Sequence, residues 1–223
     1  MKPRNGLKWL AATAILLGAA LISIGVGRYP VTPVEIVLSI IQGLTGHSMG
    51  MSPEAVAIVV GNRLPRTLAG LLVGASLAAS GCAFQGLFRN PLVSQGILGV
   101  SSGAGFGAAL SILLFSGTVM APPFAFVFGL CAVWLSFCVA RLCGQVTVLM
   151  LVLGGTIVSS IFSALLSLLK YVADPYNQLA SIVFWNMGSL ASVESTVLPL
   201  AGTAMVVGML LLLCFASWIN VLS

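Results

Sequence analysis

The fold class this sequence predicts is all-α: a polytopic membrane helix bundle of about six spans, with one further short re-entrant or interfacial helix near 176–190. Three observations predict it. Of the 223 residues, 59% are hydrophobic and only 6% are charged, whereas a soluble domain carries roughly 25% charged residues because its surface faces water. The mean hydropathy is +1.16. The longer uncharged runs between successive charges also each hold one or two stretches of about the 20 residues a helix needs to cross a hydrocarbon core. The same scarcity of charge argues against disorder and nucleic-acid binding, because the formal charge of +5 is spread along the chain rather than gathered in a basic stripe. The expected surroundings are lipid, with no nucleic-acid partner.

The whole chain, 1–223, reads as a single transmembrane domain. The first run, 9–27, follows Lys2, Arg4 and Lys8 and so resembles a signal peptide, but no small-x-small cleavage site precedes Arg28 and further spans follow. It reads as a retained helix. A second span covers 67–88. The long uncharged stretch from Asn90 to Ala140 holds two spans, 92–115 and 120–140, separated where Ser116-Gly117-Thr118 and Pro122-Pro123 supply turn chemistry. A fifth covers 147–169 and a sixth 197–218. Between them the chain is apolar but interrupted by Asp174-Pro175, Asn177, Gln178 and Gly188, which suits a short, partly re-entrant helix better than a full crossing.

With six spans and the N-terminus inside, Lys2, Arg4, Lys8, Arg89 and Arg141 face the cytoplasm with no acid beside them, which accounts for the whole net charge of +5. Glu35, Glu54, Asp174 and Glu194 then lie outside and balance Arg28, Arg63, Arg66 and Lys170, as the positive-inside tendency favours. The expected location is therefore a multi-pass protein of the cytoplasmic membrane with a cytoplasmic N-terminus. The loop 28–66 is too long for a hairpin. Within it, 33–41 reads as a short interfacial helix and 43–53 as irregular, with His47 a surface histidine.

Catalysis is not expected. Cys82, Cys131, Cys138, Cys143 and Cys214 sit in apolar runs with no C-x-x-C pair, which indicates neither a disulfide frame nor a zinc site. The four scattered acids and the single histidine leave no metal centre and no convergent ionisable groups within a span.

Two patterns bear on packing and two on function. Gly70 and Gly74 on span two, followed by Ala78 and Cys82, and Gly99, Gly103 and Gly107 on span three place small residues at intervals of four, which lets backbones approach closely in lipid. Pro65 suits a first helical turn, and the arginines around it, Arg63 and Arg66, offer guanidinium groups able to grip carboxylates bidentately. Lipid headgroup anchoring is the alternative role for that pair. At the other end of span two come Gln85-Gly86-Leu87-Phe88-Arg89-Asn90-Pro91-Leu92 and then Leu98-Gly99-Val100-Ser101-Ser102-Gly103-Ala104-Gly105.

Taken together, R-x-P-R, G-x-x-x-G-A, Q-x-x-x-x-N-P-L and L-G-V-S-x-G-A-G resemble the permease subunits of binding-protein-dependent ABC importers for iron–siderophore, haem and vitamin B12. Phe184-Trp185-Asn186-Met187-Gly188-Ser189 is similar to the family's W-x-x-G-S segment. The resemblance implies a permease paired with a second permease copy, a substrate-binding protein above and an ATP-binding subunit below, with ATP and Mg on that partner and no cofactor in this chain. It implies that Arg63 and Arg66 receive acidic residues of the binding protein, and that Asn90 and Leu92 match inner gate residues. Thr147 and Val148 align with a second gate position, and the fifth span, through Gly154, Gly155, Ser159 and Phe162, lines the pathway. Val93-Ser94-Gln95 departs from the small-acid-proline sequence usual in relatives at that point. By family abundance the expected substrate is an iron–siderophore chelate, with haem and vitamin B12 as alternatives.

The family fold has about ten helices built from repeats, so the sequence corresponds to its first six. Three readings stand open: half of a split or truncated permease, a remnant that does not transport, and an ATP-independent small channel or assembly factor that keeps the first part of the fold.

Overall fold

In a computed structural model of the chain, residues 3–142, 144, 147–191, 193 and 198–218 are described, and every regular element among them is helical. Lys2, Cys143, Glu194 and the ending 219–223 lie outside the described residues, as does the side chain of Arg4. The helices are α1 (Pro3–Gly25), α2 (Pro33–Thr45), α3 (Pro53–Ile58), α4 (Leu64–Leu87), α5 (Val100–Phe115), α6 (Ala121–Leu142), α7 (Val148–Val172), α8 (Gln178–Met187) and α9 (Leu198–Cys214), with a π-helical turn at Val59–Arg63 and a 3-10 turn at Gln95–Leu98.

Among the described residues, four stretches are long and apolar enough to cross a membrane: Gly6–Gly25, Pro53–Leu87, Ala121–Leu142 and Val148–Val172. The helices at the third and sixth expected spans, α5 with 16 residues and α9 with 17, are apolar but shorter. Alanine is prominent among the buried positions, and many large apolar residues lie on the outside. Among buried hydrophobic positions are Ala108, Ala109, Ala121, Ala125, Ala132 and Ala140, while Trp9, Leu10, Ile15, Phe126, Leu130 and Trp134 are exposed. Large apolar residues can stay outside in a bundle solvated by lipid, since they gain nothing by leaving the hydrocarbon, and small residues at the crossings let helices close up.

Two expected boundaries move. The segment 53–63, read as loop, is helical and continuous with α4. Ser52 caps its start, its hydroxyl accepting from Ala55 N–H at 3.2 Å, with Pro53 at the first helical position. Pro65 therefore does not open a helix but sits inside one. A proline ring clashes with the carbonyl four residues back, and the preceding π turn, in which Leu64 N–H bonds to Val59 O, widens the helix just ahead of it. The second change is at span three, expected from 92. Its helix begins only at Val100, because the chain first makes the 3-10 turn and then passes through Gly99 at φ +77°, a left-handed conformation that a side chain disfavours.

The chain falls into two compact units, each described separately. One comprises the chain up to Gly74 together with Leu190–Met205. Its core is Ile24, Val31, Ile36 and Val59, joined by Ile40, Val60 and Leu64. Here α2 begins with a capping box: Glu35 N–H donates to Thr32 Oγ1 at 3.4 Å, while Thr32 N–H and its hydroxyl donate to Glu35 Oε2 at 2.7 and 2.9 Å. These bonds from the Thr32 backbone, and then from its side chain, hold the Glu35 carboxyl below its ordinary pKa.

The other unit comprises Ala75–Ser189 and the chain from Val206. In it α5, α6 and α7 pack against one another around two clusters. One holds Ala108, Ala109, Ile112, Ala121, Ala125, Ala173 and Ile182. The other holds Ala132, Val158 and Phe162, with Phe106, Phe128 and Val139 around them. The short helix expected near 176–190 is present as α8, ten residues long.

Candidate functional site

The two arginines around Pro65 diverge. Arg63 is half-buried and donates to three backbone carbonyls, Ile24 O at 2.8 Å, Gly25 O at 3.2 Å and Tyr29 O at 2.6 Å. Those carbonyls belong to the end of α1 and the chain just after it, where a helix C-terminus leaves acceptors without intrahelical partners. A Cβ at Gly27 would fall on the Arg63 guanidinium, so the glycine and the arginine share one space. Arg66 is exposed and donates to Asn62 Oδ1 at 3.3 Å and Ala191 O at 2.6 Å. Arg63 is thus a staple of the α1 end, and Arg66 is the more accessible guanidinium of the two.

At the start of the α4–α5 loop, Asn90 is half-buried and its Oδ1 accepts from Leu92 N–H at 3.0 Å. That bond closes a local turn around Pro91, the geometry asparagine favours by mimicking backbone. It leaves the Leu92 side chain 88% exposed. Farther along, the 3-10 turn is held from two sides. Ser136 of α6 donates to Leu98 O at 2.9 Å, and Ile97 O lies so close to Gly155 of α7 that a Cβ there would meet it. Sequence reasoning did not single out Ser136, because a lone serine in an apolar run carries no distinguishing pattern.

On α7, Thr147 is the N-cap, its hydroxyl accepting from Met150 N–H at 3.3 Å. Val148 opens the helix and is 39% exposed. Deeper in α7 the expected lining residues face helices. Gly154 abuts α6, where an added Cβ would lie 2.7 Å from Ser136 O. Ser159 Oγ lies 3.0 Å from where Gly99 would carry a Cβ. Phe162 is 5% exposed, with its ring 5.5 Å from that of Phe106.

Of the glycines at intervals of four, Gly103 and Gly107 sit on α6 at contact too close for any side chain: a Cβ would lie 2.6 Å from Phe128 O and 2.5 Å from Phe124 O. A Cβ at Gly70 would make only an ordinary contact, 3.6 Å from Leu190 Cδ1, and one at Gly74 would meet nothing within 4 Å beyond the helix backbone around it among the described residues.

A cleft of about 490 Å³ lies between the end of α5 and the start of α8, lined by Ile112, Ser116, Asp174, Asn177, Gln178 and Ser181. Its polar groups satisfy one another. Gln178 Nε2 donates to Leu113 O and Ser116 Oγ, both at 3.3 Å, while Gln178 Oε1 accepts from Asp174 N–H at 3.2 Å. The arrangement closes two helix ends. Among the described residues no group of three or more His, Cys, Asp or Glu could hold a metal ion, and the described cysteines Cys82, Cys131, Cys138 and Cys214 are free.

Apolar helices packed at glycine contacts, four of the described stretches long enough to cross a membrane, are the construction of a multi-pass membrane protein. The profile of the FecCD transport family matches residues 15–223, and the chain belongs to that family. It is 41% identical over 187 residues to the molybdate import system permease protein MolB of Haemophilus influenzae, covering 81% of this chain and 53% of that protein. It is 34% identical over 200 residues to the vitamin B12 import system permease protein BtuC of Klebsiella pneumoniae, covering 87% of this chain and 55% of that one. A solved structure described as an inward-facing conformation of a metal-chelate type ABC transporter superposes with a TM-score of 0.78 at 35% identity, covering 96% of this chain and 63% of that chain. The chain spans about half the length of the curated relatives it matches.

Proposed function

We propose that the chain is a transmembrane permease component of an ABC importer in the cytoplasmic membrane, oriented with its N-terminus in the cytoplasm. It receives a metal chelate of the iron–siderophore type from a binding protein and works with a separate ATP-binding subunit and a second permease copy. The observation that carries this reading is the family match over residues 15–223, and the metal-chelate transporter at TM-score 0.78 supports the substrate class.

Physical chemistry favours the same division of labour. A pathway wall of apolar and hydroxyl groups offers a bulky chelate no strong place to stick, so direction is set by opening and closing. Arg66, with Arg63 behind it, receives acidic residues of the binding protein. Asn90, Leu92, Thr147 and Val148, all at helix ends or in the α4–α5 loop, form the gate, and Ser159 and Phe162 hold α7 in place behind it.

Reconstitution tests the proposal. Proteoliposomes holding the chain with its second permease copy, ATP-binding subunit and binding protein are expected to accumulate an iron–siderophore complex in an ATP-dependent manner. Uptake of molybdate or cobalamin instead, the substrates named for the relatives, transfers the assignment to that substrate. Absence of ATP-dependent uptake of all three refutes it.

A further inference from the structure

We propose that Ser136 is a positioning residue that locks the α4–α5 loop to α6 and α7, so that the loop carrying Asn90 and Leu92 moves as one body with the start of α7 when the pathway opens. This rests on the permease reading above.

Ser136 is fully buried. A serine inside a helix ordinarily satisfies its hydroxyl on the carbonyl one turn back, and Ser136 does reach Ala132 O at 2.8 Å. Its single proton is shared, however, with Leu98 O at 2.9 Å, 38 positions away in the chain. That carbonyl stands outside the α5 ladder, which begins with Gly103 N–H on Gly99 O at 3.0 Å, and the Leu98 residue is itself buried. A buried carbonyl at a helix break needs an external donor, and Ser136 is that donor.

The opposite side of the turn is closed by backbone. Ile97 O and Leu98 Cα press on Gly155, and Gly99 lies where a Cβ would be 3.3 Å from Gly155 O. Gly154, next in the chain, seats against Ser136 O. One hydroxyl and two glycines therefore join three elements, α6, α7 and the 3-10 turn, at a single point. The glycines give the close fit, but only the hydroxyl is directional, so it is the part whose removal frees the turn without filling space.

The test compares Ser136→Ala with Ser160→Ala, whose hydroxyl donates only within its own helix, to Thr156 O. In the purified chain in lipid nanodiscs, Ser136→Ala is expected to speed amide exchange over 93–99 by about three- to twenty-fold, the range that interhelical hydrogen bonds in membrane bundles represent, and Ser160→Ala to leave it unchanged. In the reconstituted transporter, Ser136→Ala is expected to lower substrate moved per ATP hydrolysed by at least about threefold while ATP hydrolysis continues. Ser136→Cys, near in size but a weak donor, is expected to fall between, and serves as the test variant if Ser136→Ala does not fold. Unchanged exchange over 93–99 overturns the proposal, and so does faster exchange with transport per ATP intact. A wild-type chain that moves no substrate instead defeats the permease reading, and exchange alone then decides whether the lock exists.

Discussion

Replacing Gly107 by alanine tests whether close approach of α5 and α6 holds this bundle together. A Cβ at Gly107 would lie 2.5 Å from Phe124 O and 2.8 Å from Phe128 Cβ, where ordinary contact begins at 3.4 Å. The obstacle is backbone, so no side chain can swing away, and the two helices must part by about 0.9 Å, the difference between 2.5 and 3.4 Å. A gap of roughly 0.5–1 Å already forfeits a quarter to a half of the dispersion energy of each contact along the seam, and overpacking of this kind costs about 1–3 kcal/mol. Alanine also returns about 0.8–1 kcal/mol of helix propensity, which would blur the result for a single variant. Gly74→Ala removes that ambiguity, because a Cβ at Gly74 in α4 would meet nothing within 4 Å beyond the helix backbone around it among the described residues, so the variant gains the same propensity without a clash. The difference between the two variants isolates the steric term, so Gly107→Ala is expected to be less stable than Gly74→Ala by about 1–3 kcal/mol. Reversible unfolding of the chain in mixed micelles, titrated with sodium dodecyl sulfate, measures both. A difference under about 0.5 kcal/mol, well below the overpacking range, would refute the close-approach account.

The two arginines are expected to separate by phenotype. Arg66→Glu lowers capture by the binding protein, with the loss greatest at low salt where exposed charges are least screened; unchanged capture in low salt sinks the docking role. Arg63→Ala leaves three carbonyls without their donor and destabilises the chain by about 2 kcal/mol, which thermal unfolding registers even with no partner present. Glu35 gives a pH dependence. Its folded pKa is lowered by the Thr32 bonds, so its contribution to α2 is fully present above the unfolded value of about 4.3 and fades as the pH falls through the lowered folded value. The protection of amides at the start of α2, relative to their intrinsic exchange rates at each pH, is expected to fall over that acid range in wild type and to lose this dependence in Glu35→Gln.

Sequence made the class of fold legible because lipid imposes so strong a compositional rule. Arg28, Arg89, Arg141 and Lys170 all fall outside the four long apolar helices or within their last turns. The break at Ser116 was equally visible, and that residue has φ +51°. What sequence missed was local geometry set by contacts. Pro65 looked like a helix start because a proline's usual place is the first turn, and nothing in the sequence announces a π turn that lets a helix run through it. The stripes of small residues on α4 and α5 looked alike, yet Gly103 and Gly107 meet α6 backbone while Gly74 meets nothing nearby. Spacing reports which face of a helix is small, but not whether a neighbour uses it. The charge of Arg63 is legible in the sequence, but its geometry answers a second demand, the three carbonyls at and just after the end of α1. Nothing in the sequence links Gly27 to Arg63, 36 positions later, although the two share one space.

The α4–α5 loop and the start of α7 are held in place without strong internal bonds. Leu92 and Val148 are exposed, so side-chain burial does not fix either of them. Their positions are inherited from the bundle through short backbone devices: Asn90 folding back on Leu92 N–H, Thr147 capping α7, and the 3-10 turn seated on Gly155. Each is a single hydrogen bond or a single close approach, and a helix cap of this kind is worth about 1 kcal/mol. The large apolar residues contribute little to that selectivity of position, because lipid solvates them as well as protein does. Function in this chain should therefore be more sensitive to loss of a hydroxyl or gain of a methyl at the crossings than to exchange of one large outward-facing apolar residue for another.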